Sequence, residues 1–426
     1  MYYSYRLIGL DRRVWLLGIT RFIRSFGRGS TFILLPLVFT LYYGQSLVST
    51  GLIIGSGTLI MAVVQYYAGV WTDKIGRRKI LVYTQIPNIL FYTLMYYFIS
   101  IHSSLWALIA AWFSTVVFNA LQYPAVQATV ADVTSVEDRM SGFTAIRLMA
   151  NLGFAVGPLT GAFLAGFGLQ YIFLVAAATN VVEVIMLYRF MKESYVPTGA
   201  VISIKELGRS YRKDALFVSF IVIGILYSIL STQRSSALTI YTVVLQNQPI
   251  IYLGYVWALN GFVVVLLQVP FLRLMTAYLN PMIWRAIGVG FGGLSFLILI
   301  RYPTLAILLG FMFISTIGED FMAPTTQSII TSIAPQEYRG SYIGVYSLYT
   351  SAGTFAGSIL GLWMLSIFVN IPYEFWLIIA AATLLVGALY IAMNPSFTRR
   401  FSLITGRNIP AAGLQQLNSQ DGGKSK

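Results

Sequence analysis

The chain alternates apolar runs of about 20 residues or more with short polar or charged turns, and that alternation leaves few folds open. A helix needs about 20 apolar residues to cross the roughly 30 Å of a bilayer's hydrocarbon core. Scanned on that basis, the sequence gives twelve spans, near residues 14–42, 47–70, 79–101, 104–131, 142–168, 169–190, 215–243, 250–272, 281–301, 303–331, 340–370 and 373–394. The runs are too long for barrel strands and lack period-two alternation, which leaves helices as the backbone able to satisfy its own hydrogen bonds in lipid. Apolar residues make up 57% of the chain and charged residues only 10%, too little polar surface for a soluble domain of this length. The expected fold class is an all-α membrane protein with twelve transmembrane helices.

A net charge of +14 would suit nucleic acid on a soluble fold with a basic face. Here the charges bracket the spans instead, so no nucleic acid partner is expected, and the lipid bilayer is the surrounding partner. Arg6, Arg12 and Arg13 precede span 1, Lys74 to Lys79 follow span 2, and Arg139 lies between spans 4 and 5. Lys192, Lys205, Arg209, Arg212 and Lys213 fill the middle of the chain, Arg285 and Arg339 fall in later loops, and Arg399, Arg400 and Arg407 follow span 12. All belong to one side, while the opposite loops carry almost none, Arg301 excepted. Positive charge is retained in the cytoplasm, so a multi-pass protein of the plasma membrane with both termini cytoplasmic is expected. The apolar run after MYYSYRLIGLDRRVW is too long for a signal-peptide core and lacks a small-residue cleavage site.

The polar stretch 191–214 reads as a cytoplasmic linker between an N-terminal six-helix bundle, 1–190, and a C-terminal one, 215–395. Within it, SIKELGRSYRKD has the composition of a basic amphipathic helix at the inner leaflet. The tail 396–426, rich in Gly, Ser, Gln and Asn, reads as disordered and cytoplasmic. With no cysteine and a single histidine, His102, thiolate metal sites are excluded, and neither metal nor cofactor is expected.

The halves repeat. A shift of 200 residues lays Asn151–Gly161 on Ser351–Gly361, so that Gly153, Gly157 and Gly161 meet Gly353, Gly357 and Gly361. The same shift carries Pro124 to Pro324, Gln127 to Gln327, Glu137 to Glu337 and Arg139 to Arg339; a shift of 206 carries Arg28 to Arg234, Gly55 to Gly261 and Lys79 to Arg285. Six spans separate the copies, so both enter the membrane in the same direction.

Between spans 2 and 3 stands GVWTDKIGRRKIL, with Gly69, Asp73, Gly76, Arg77, Arg78 and Lys79 in order. It resembles the signature loop G-x-L-a-D-r-x-G-r-k of the major facilitator superfamily, with Trp71 where a smaller residue is usual. On span 5, Gly153, Gly157, Pro158 and Gly161 form GxxxGPxxG. Glycines four apart share a face and allow close helix approach, so packing alone accounts for them. With Pro158, however, the stretch resembles the helix 5 motif of the drug:proton antiporter branch, Ala162 departing from it. The resemblance implies the major facilitator fold, two pseudo-symmetric six-helix bundles around a central cavity lined by helices 1, 4, 7 and 10. It also implies a cytoplasmic latch in which Asp73, Arg77 and Asp132 meet near the start of helix 11, and a helix 5 bent to seal the passage. The loop 132–147 and its partner 335–340 resemble the loops after helices 4 and 10. The second-half copy MTAYLNPMIWR keeps only Arg285, so the latch is expected on one side alone; KES at Lys192–Ser194 loosely resembles the linker of sugar porters.

Charges inside the membrane carry the functional expectation, because an ionisable group at mid-bilayer costs roughly 2.5–3.5 kcal/mol unless it faces water or a partner. Arg28, Arg234 and Glu319 fall deep in their spans, with Asn119 at the repeat position of Glu319 and Gln122 one turn on. Arg28, Asn119, Gln122, Arg234, Glu319 and Asp320 are therefore the candidate substrate and proton site. Neighbours in sequence point about 100° apart on a helix, so of Glu319 and Asp320 one should face the cavity, and Glu319 is favoured. A purely structural ion pair between Glu319 and an arginine is the competing account. Arg21 can snorkel outward, Arg24 lies beside it, and Glu183 is deep on a helix that is peripheral in the resembling fold. Tyr123, Tyr227, Tyr241 and Trp257 would offer aromatic contacts. The antiporter branch has an arginine on helix 4 that NALQYP lacks. The expected function is proton-coupled efflux of a small organic or drug-like solute by alternating access, as a functional monomer. The alternative is a symporter or uniporter for a sugar, carboxylate or other organic anion, gripped by Arg28 and Arg234. No HExxH or G-x-S-x-G arrangement supports an enzyme; a non-transporting receptor on the same fold is separable by a solute-movement assay.

Overall fold

Six spans start at a short polar side chain that accepts the free amides of a first helical turn. Asp11 accepts from Arg13 N at 2.7 Å, Ser46 from Ser49 N at 3.1 Å, Ser104 from Trp106 N at 3.3 Å, and Asn280 from Ile283 N at 3.0 Å. Just outside the first span, the Asp11 carboxylate also takes the Arg13 guanidinium, which holds that carboxyl below its usual range. The computed structural model describes residues 10–135, 138–194, 214–278, 280–334 and 339–405.

Among these residues the chain is helical, with no strand. The spans are α1 (Arg12–Phe32), α2 (Leu47–Ile75), α3 (Arg77–Tyr83 and Gln85–Ser100), α4 (Leu105–Val133), α5 (Arg139–Ala165), α6 (Tyr171–Phe190), α7 (Ala215–Ser231), α8 (Ile251–Tyr278), α9 (Pro281–Ile298), α10 (Leu305–Ile333), α11 (Arg339–Ile367) and α12 (Pro372–Thr405). Eleven described segments are long and apolar enough to cross a bilayer, and α3 supplies the twelfth span in two pieces.

Three spans expected to be continuous are broken. In α3 the break is Thr84, whose hydroxyl donates to Ile80 O at 2.7 Å and accepts from Gln122 at 2.8 Å, competing with the regular ladder. Helix α1 continues past Ile33 as Leu35–Leu37 and a π-helical turn, Val38–Tyr42. Helix α7 continues as a 3-10 turn, Thr232–Arg234, then Ala237–Ile240 and a π-helical turn, Tyr241–Leu245. The first helix of each half thus ends in the same irregular way.

Two boundaries differ from the sequence expectation. The supposed disordered tail is helical from 396 to 405, because α12 runs through Pro395. Phe397 is fully buried there, and Arg400 forms a bidentate pair with Asp214 at 3.1 and 2.8 Å. Arg285, expected in a loop, lies inside α9 and is 2% exposed. The remainder of the tail, 406–426, and the linker residues 195–213, with the amphipathic segment expected there, fall outside the described residues.

Packing explains the glycine stripes. A Cβ at Gly153, Gly157 or Gly161 would stand 2.2, 2.3 or 2.2 Å from the carbonyl oxygens of Phe22, Phe26 and Ser30, so α5 lies backbone to backbone on α1. Gly353 and Gly357 do the same in the second half, against Ile225 O and Ile229 O at 2.8 and 2.6 Å. The halves meet along two related seams. Gly51 and Gly55 of α2 abut Ser358 and Phe355 of α11, and Gly254 and Gly261 of α8 abut Ala162 and Ala155 of α5.

On the face away from the termini both halves join one buried core that includes Ile33, Leu34, Leu238, Leu253 and Leu362, and Thr239 donates to Ile33 O at 3.3 Å. Toward the terminus face the seam gapes: nothing lies within 4 Å of a Cβ at Gly69 of α2 or Gly344 of α11. Leu348 and Tyr349 are exposed there. The molecule is sealed at one end and open at the other.

Candidate functional site

The break in α7 places Arg234 in a 3-10 turn at mid-span, where its side chain reaches α10. Its Nη1 donates to Glu319 Oε2 at 2.7 Å and lies 3.4 Å from Ser315 Oγ. Asn260 of α8 donates to the same Glu319 oxygen at 3.2 Å and to Thr316 Oγ1 at 2.9 Å. The Arg234 guanidinium also stands 5.8 Å from the centroid of the buried Trp257 ring. The pair remains accessible, with side chains 22% and 36% exposed. It lines a cavity of about 260 Å³, with Tyr227, Ser231, Arg285, Thr326 and Tyr346 on other walls.

The remaining candidates divide. Asp320 points away from this cavity and is 2% exposed, with both carboxylate oxygens buried and unpartnered. Arg28 is exposed on α1, 5.6 Å from the Phe32 ring centroid, and stays apart from the Arg234–Glu319 pair. Gln122 is not a cavity residue. It is 1% exposed and donates to Leu81 O and Thr84 Oγ1, both at 2.8 Å, because the break in α3 frees acceptors inside the N-terminal bundle. Asn119 faces α1, where Arg24 Nη2 donates to both its backbone oxygen and Oδ1 at 2.9 Å. Of the aromatic candidates, Tyr227 lines the cavity and Tyr123 is exposed, whereas Tyr241 is buried in the outer core.

Sequence reasoning named Arg24 and Glu183 without placing them in the candidate site, and did not name Asn260. Arg24 is buried on α1 and bonded to Asn119 of α4. The only cue was its place between Arg21 and Arg28. Glu183 on α6 is 3% exposed, with Oε2 unpartnered and Arg24 and Arg21 within electrostatic reach, so it belongs to the bundle interior. Asn260 carries no charge, and its one signal is an amide in an apolar run.

At the terminus face, Gly76 has φ +102° and separates α2 from α3, a backbone conformation suited to glycine. A Cβ there would stand 2.8 Å from Glu193 Oε2. The Glu193 carboxylate instead accepts from Arg77 N at 3.0 Å and Arg78 N at 3.2 Å, capping the first turn of α3 where the helix dipole favours an anion. Arg77 Nε donates to Asp132 Oδ2 at 3.0 Å, Ser194 to the same oxygen at 3.2 Å, and Arg78 to Tyr188 O at 2.8 Å. Glu193 thus joins Arg77 and Asp132 in this cluster, and it is the acid of KES. The Asp73 side chain, and those at the start of α11 where the latch was expected to meet them, lie outside the described residues. Gly69 sits on α2 at the open seam.

The family model described as Major Facilitator Superfamily matches residues 17–358, with a further match over 235–419. The chain is 25% identical over 409 residues to the Na(+), Li(+), K(+)/H(+) antiporter of Planococcus maritimus, covering 86% of this chain and 92% of that protein. It is 24% identical over 348 residues to multidrug resistance protein 2 of Bacillus subtilis (strain 168), covering 76% and 82%. Among solved structures, a peptide transporter POT in complex with sulfate superposes with a TM-score of 0.77 at 16% identity, over 92% of this chain and 96% of that one.

Proposed function

The chain belongs to the major facilitator superfamily, and on that premise we propose that it exports small organic, drug-like solutes in exchange for protons, by alternating access. The observation that carries this reading is the Arg234–Glu319 pair, a carboxylate and a guanidinium 2.7 Å apart on a cavity lined by α7, α9, α10 and α11 of the C-terminal bundle. An intramembrane carboxylate in such a place is a proton site by default. Ionised, Glu319 holds Arg234; protonated, it loses the charge that draws the guanidinium and frees Arg234 for the cavity. The state described here, paired and open toward the termini, suits a carrier that has released its proton and awaits a solute from that side.

The Lys and Arg distribution supports reading the terminus face as cytoplasmic, in a plasma membrane. The names of the two relatives support exchange against protons and efflux of drugs. In the same reading, bundles 1–190 and 215–395 rock about the α2–α11 and α5–α8 seams, and the Asp73, Arg77 and Asp132 cluster closes the cytoplasmic end when the cavity faces out. Arg24, bonded to Asn119, stands in for the missing helix 4 arginine. A single chain contains both bundles and the cavity, which supports a functional monomer.

The test is uptake into inside-out vesicles reconstituted with the purified chain, under an imposed pH gradient and with a panel of candidate solutes. Glu319→Gln should abolish gradient-driven accumulation while solute exchange without a gradient persists. Gradient-driven accumulation unchanged in Glu319→Gln discards the assignment.

A further inference from the structure

Arg285 is a cation in the interior of the second bundle with no carboxylate beside it among the described residues. It is 2% exposed and lies between two rings, 5.1 Å from the centroid of Phe220 and 4.8 Å from that of Tyr390. Nη1 donates to Thr326 Oγ1, Nη2 donates to Tyr346 Oη at 2.8 Å, and Nε has no partner. The carboxylate on the same cavity, Glu319, is already engaged by Arg234 and Asn260. Asp320 is absent from the cavity lining. The cavity wall therefore carries two guanidinium groups against one carboxylate, an excess of one positive charge.

A charge taken out of water is costly unless it is compensated. The two ring contacts compensate in part, and a cation that merely anchored the bundle would need no more than these and its two hydroxyls. The hydroxyls, however, are arranged for something further. Tyr346 Oη accepts from Arg285, so its own hydrogen is left to be donated, and no acceptor for it is present among the described residues. Tyr346 lines the cavity, and its position depends on Gly224, where a Cβ would stand 2.8 Å from the tyrosine oxygen. A hydroxyl donor backed by a guanidinium is the arrangement an oxyanion requires. At about 260 Å³ the space lies near the small end of ligand pockets, and aromatic side chains stand beside it.

We propose that this cavity is an oxyanion subsite, built on Arg285 and Tyr346, that receives the carboxylate of a small aromatic acid. The proposal rests on the transport reading above and narrows it: the exported solute carries a negative charge. The charge is taken by Arg285, and Arg28 and Arg234 are not needed for it.

Binding to the full chain in detergent, without any proton gradient, tests this. Benzoate and its neutral isostere benzamide are titrated separately, followed by calorimetry. Benzoate should bind roughly tenfold more tightly than benzamide, as expected for a charge-assisted hydrogen bond. Tyr346→Phe should weaken benzoate roughly fivefold and Arg285→Met roughly tenfold, with benzamide unchanged in both. If Arg285→Met fails to fold, Tyr346→Phe, which removes one oxygen atom, decides alone. Absence of benzoate binding, equal affinity for the two probes, or a benzoate affinity untouched by Tyr346→Phe overturns the subsite. A chain that binds benzoate in this pattern yet moves no solute across vesicles overturns the transport reading and leaves the subsite standing. A chain that exchanges neutral or cationic solutes for protons and ignores benzoate does the reverse.

Discussion

Gly157→Ala isolates what the α5 stripe contributes. The added methyl would stand 2.3 Å from Phe26 O and 3.1 Å from Gly29 Cα, and both are backbone atoms that no rotamer change can move. Reaching the 3.4 Å of ordinary contact from 2.3 Å requires α1 and α5 to part by about 1.1 Å at that level. Helix α5 cannot retreat freely, because its far side is pressed to α8, with Ala155 Cβ 2.6 Å from where a Cβ at Gly261 would be. Overpacking of this kind costs about 1–3 kcal/mol, set against at most about 1 kcal/mol gained in helix propensity. The net is a destabilisation on the order of 1–2 kcal/mol, which should lower the midpoint of thermal unfolding in detergent by about 2 °C or more. Gly290→Ala is the matched control, since nothing lies within 4 Å of a Cβ there, and it should be neutral or slightly stabilising. Equal unfolding temperatures for the two variants would refute the account of the stripe as a backbone-to-backbone bearing.

Asp132→Asn removes the charge that Arg77 meets at 3.0 Å and should slow transport several-fold while insertion and size-exclusion behaviour stay normal. Asp73→Asn should behave likewise, and unimpaired transport in both variants would count against a latch. The chain has no cysteine, so engineered pairs report distance directly. In detergent, Ile33→Cys with Thr239→Cys should cross-link readily and Gly69→Cys with Gly344→Cys poorly, and the reverse pattern would show the sealed end to be the other one.

How far the sequence reached depended on whether a feature was periodic or depended on direction. The twelve spans, the repeat and the glycine stripes rest on length and spacing, and lipid enforces both. Arg234 and Glu319 were found because a charge in hydrocarbon needs a partner, whichever partner that is. Arg285 was misplaced for a related reason: five residues from Asn280 and close to a predicted edge, it reads as a loop cation, and only the buried rings of Phe220 and Tyr390 show otherwise. Gln122 was assigned to the cavity by its helix, yet a helix shows different faces along its length, and the kink at Thr84 drew its amide inward. Asp320 and Glu319 differ by 100° of helix rotation, which sequence can state but cannot phase.

The two halves share a scaffold and differ in what it holds. Both first helices are broken near the sealed end, and both fifth-position helices lie on them through glycine, so the bearing surfaces are duplicated. The polar contents are not. The N-terminal half holds Arg21, Arg24 and Arg28 deep on α1 with Asn119 facing Arg24, whereas the C-terminal half holds the only ion pair described on the cavity and the unneutralised Arg285. In a rocking carrier the duplicated surfaces have to stay in contact in both states, which limits change there. Charge that has to be compensated differently in the two states can therefore collect on one side of the pivot. Here the described ion pair lies on the C-terminal side, between the broken α7 and α10, and in the exchange we propose Arg234 follows the protonation of Glu319.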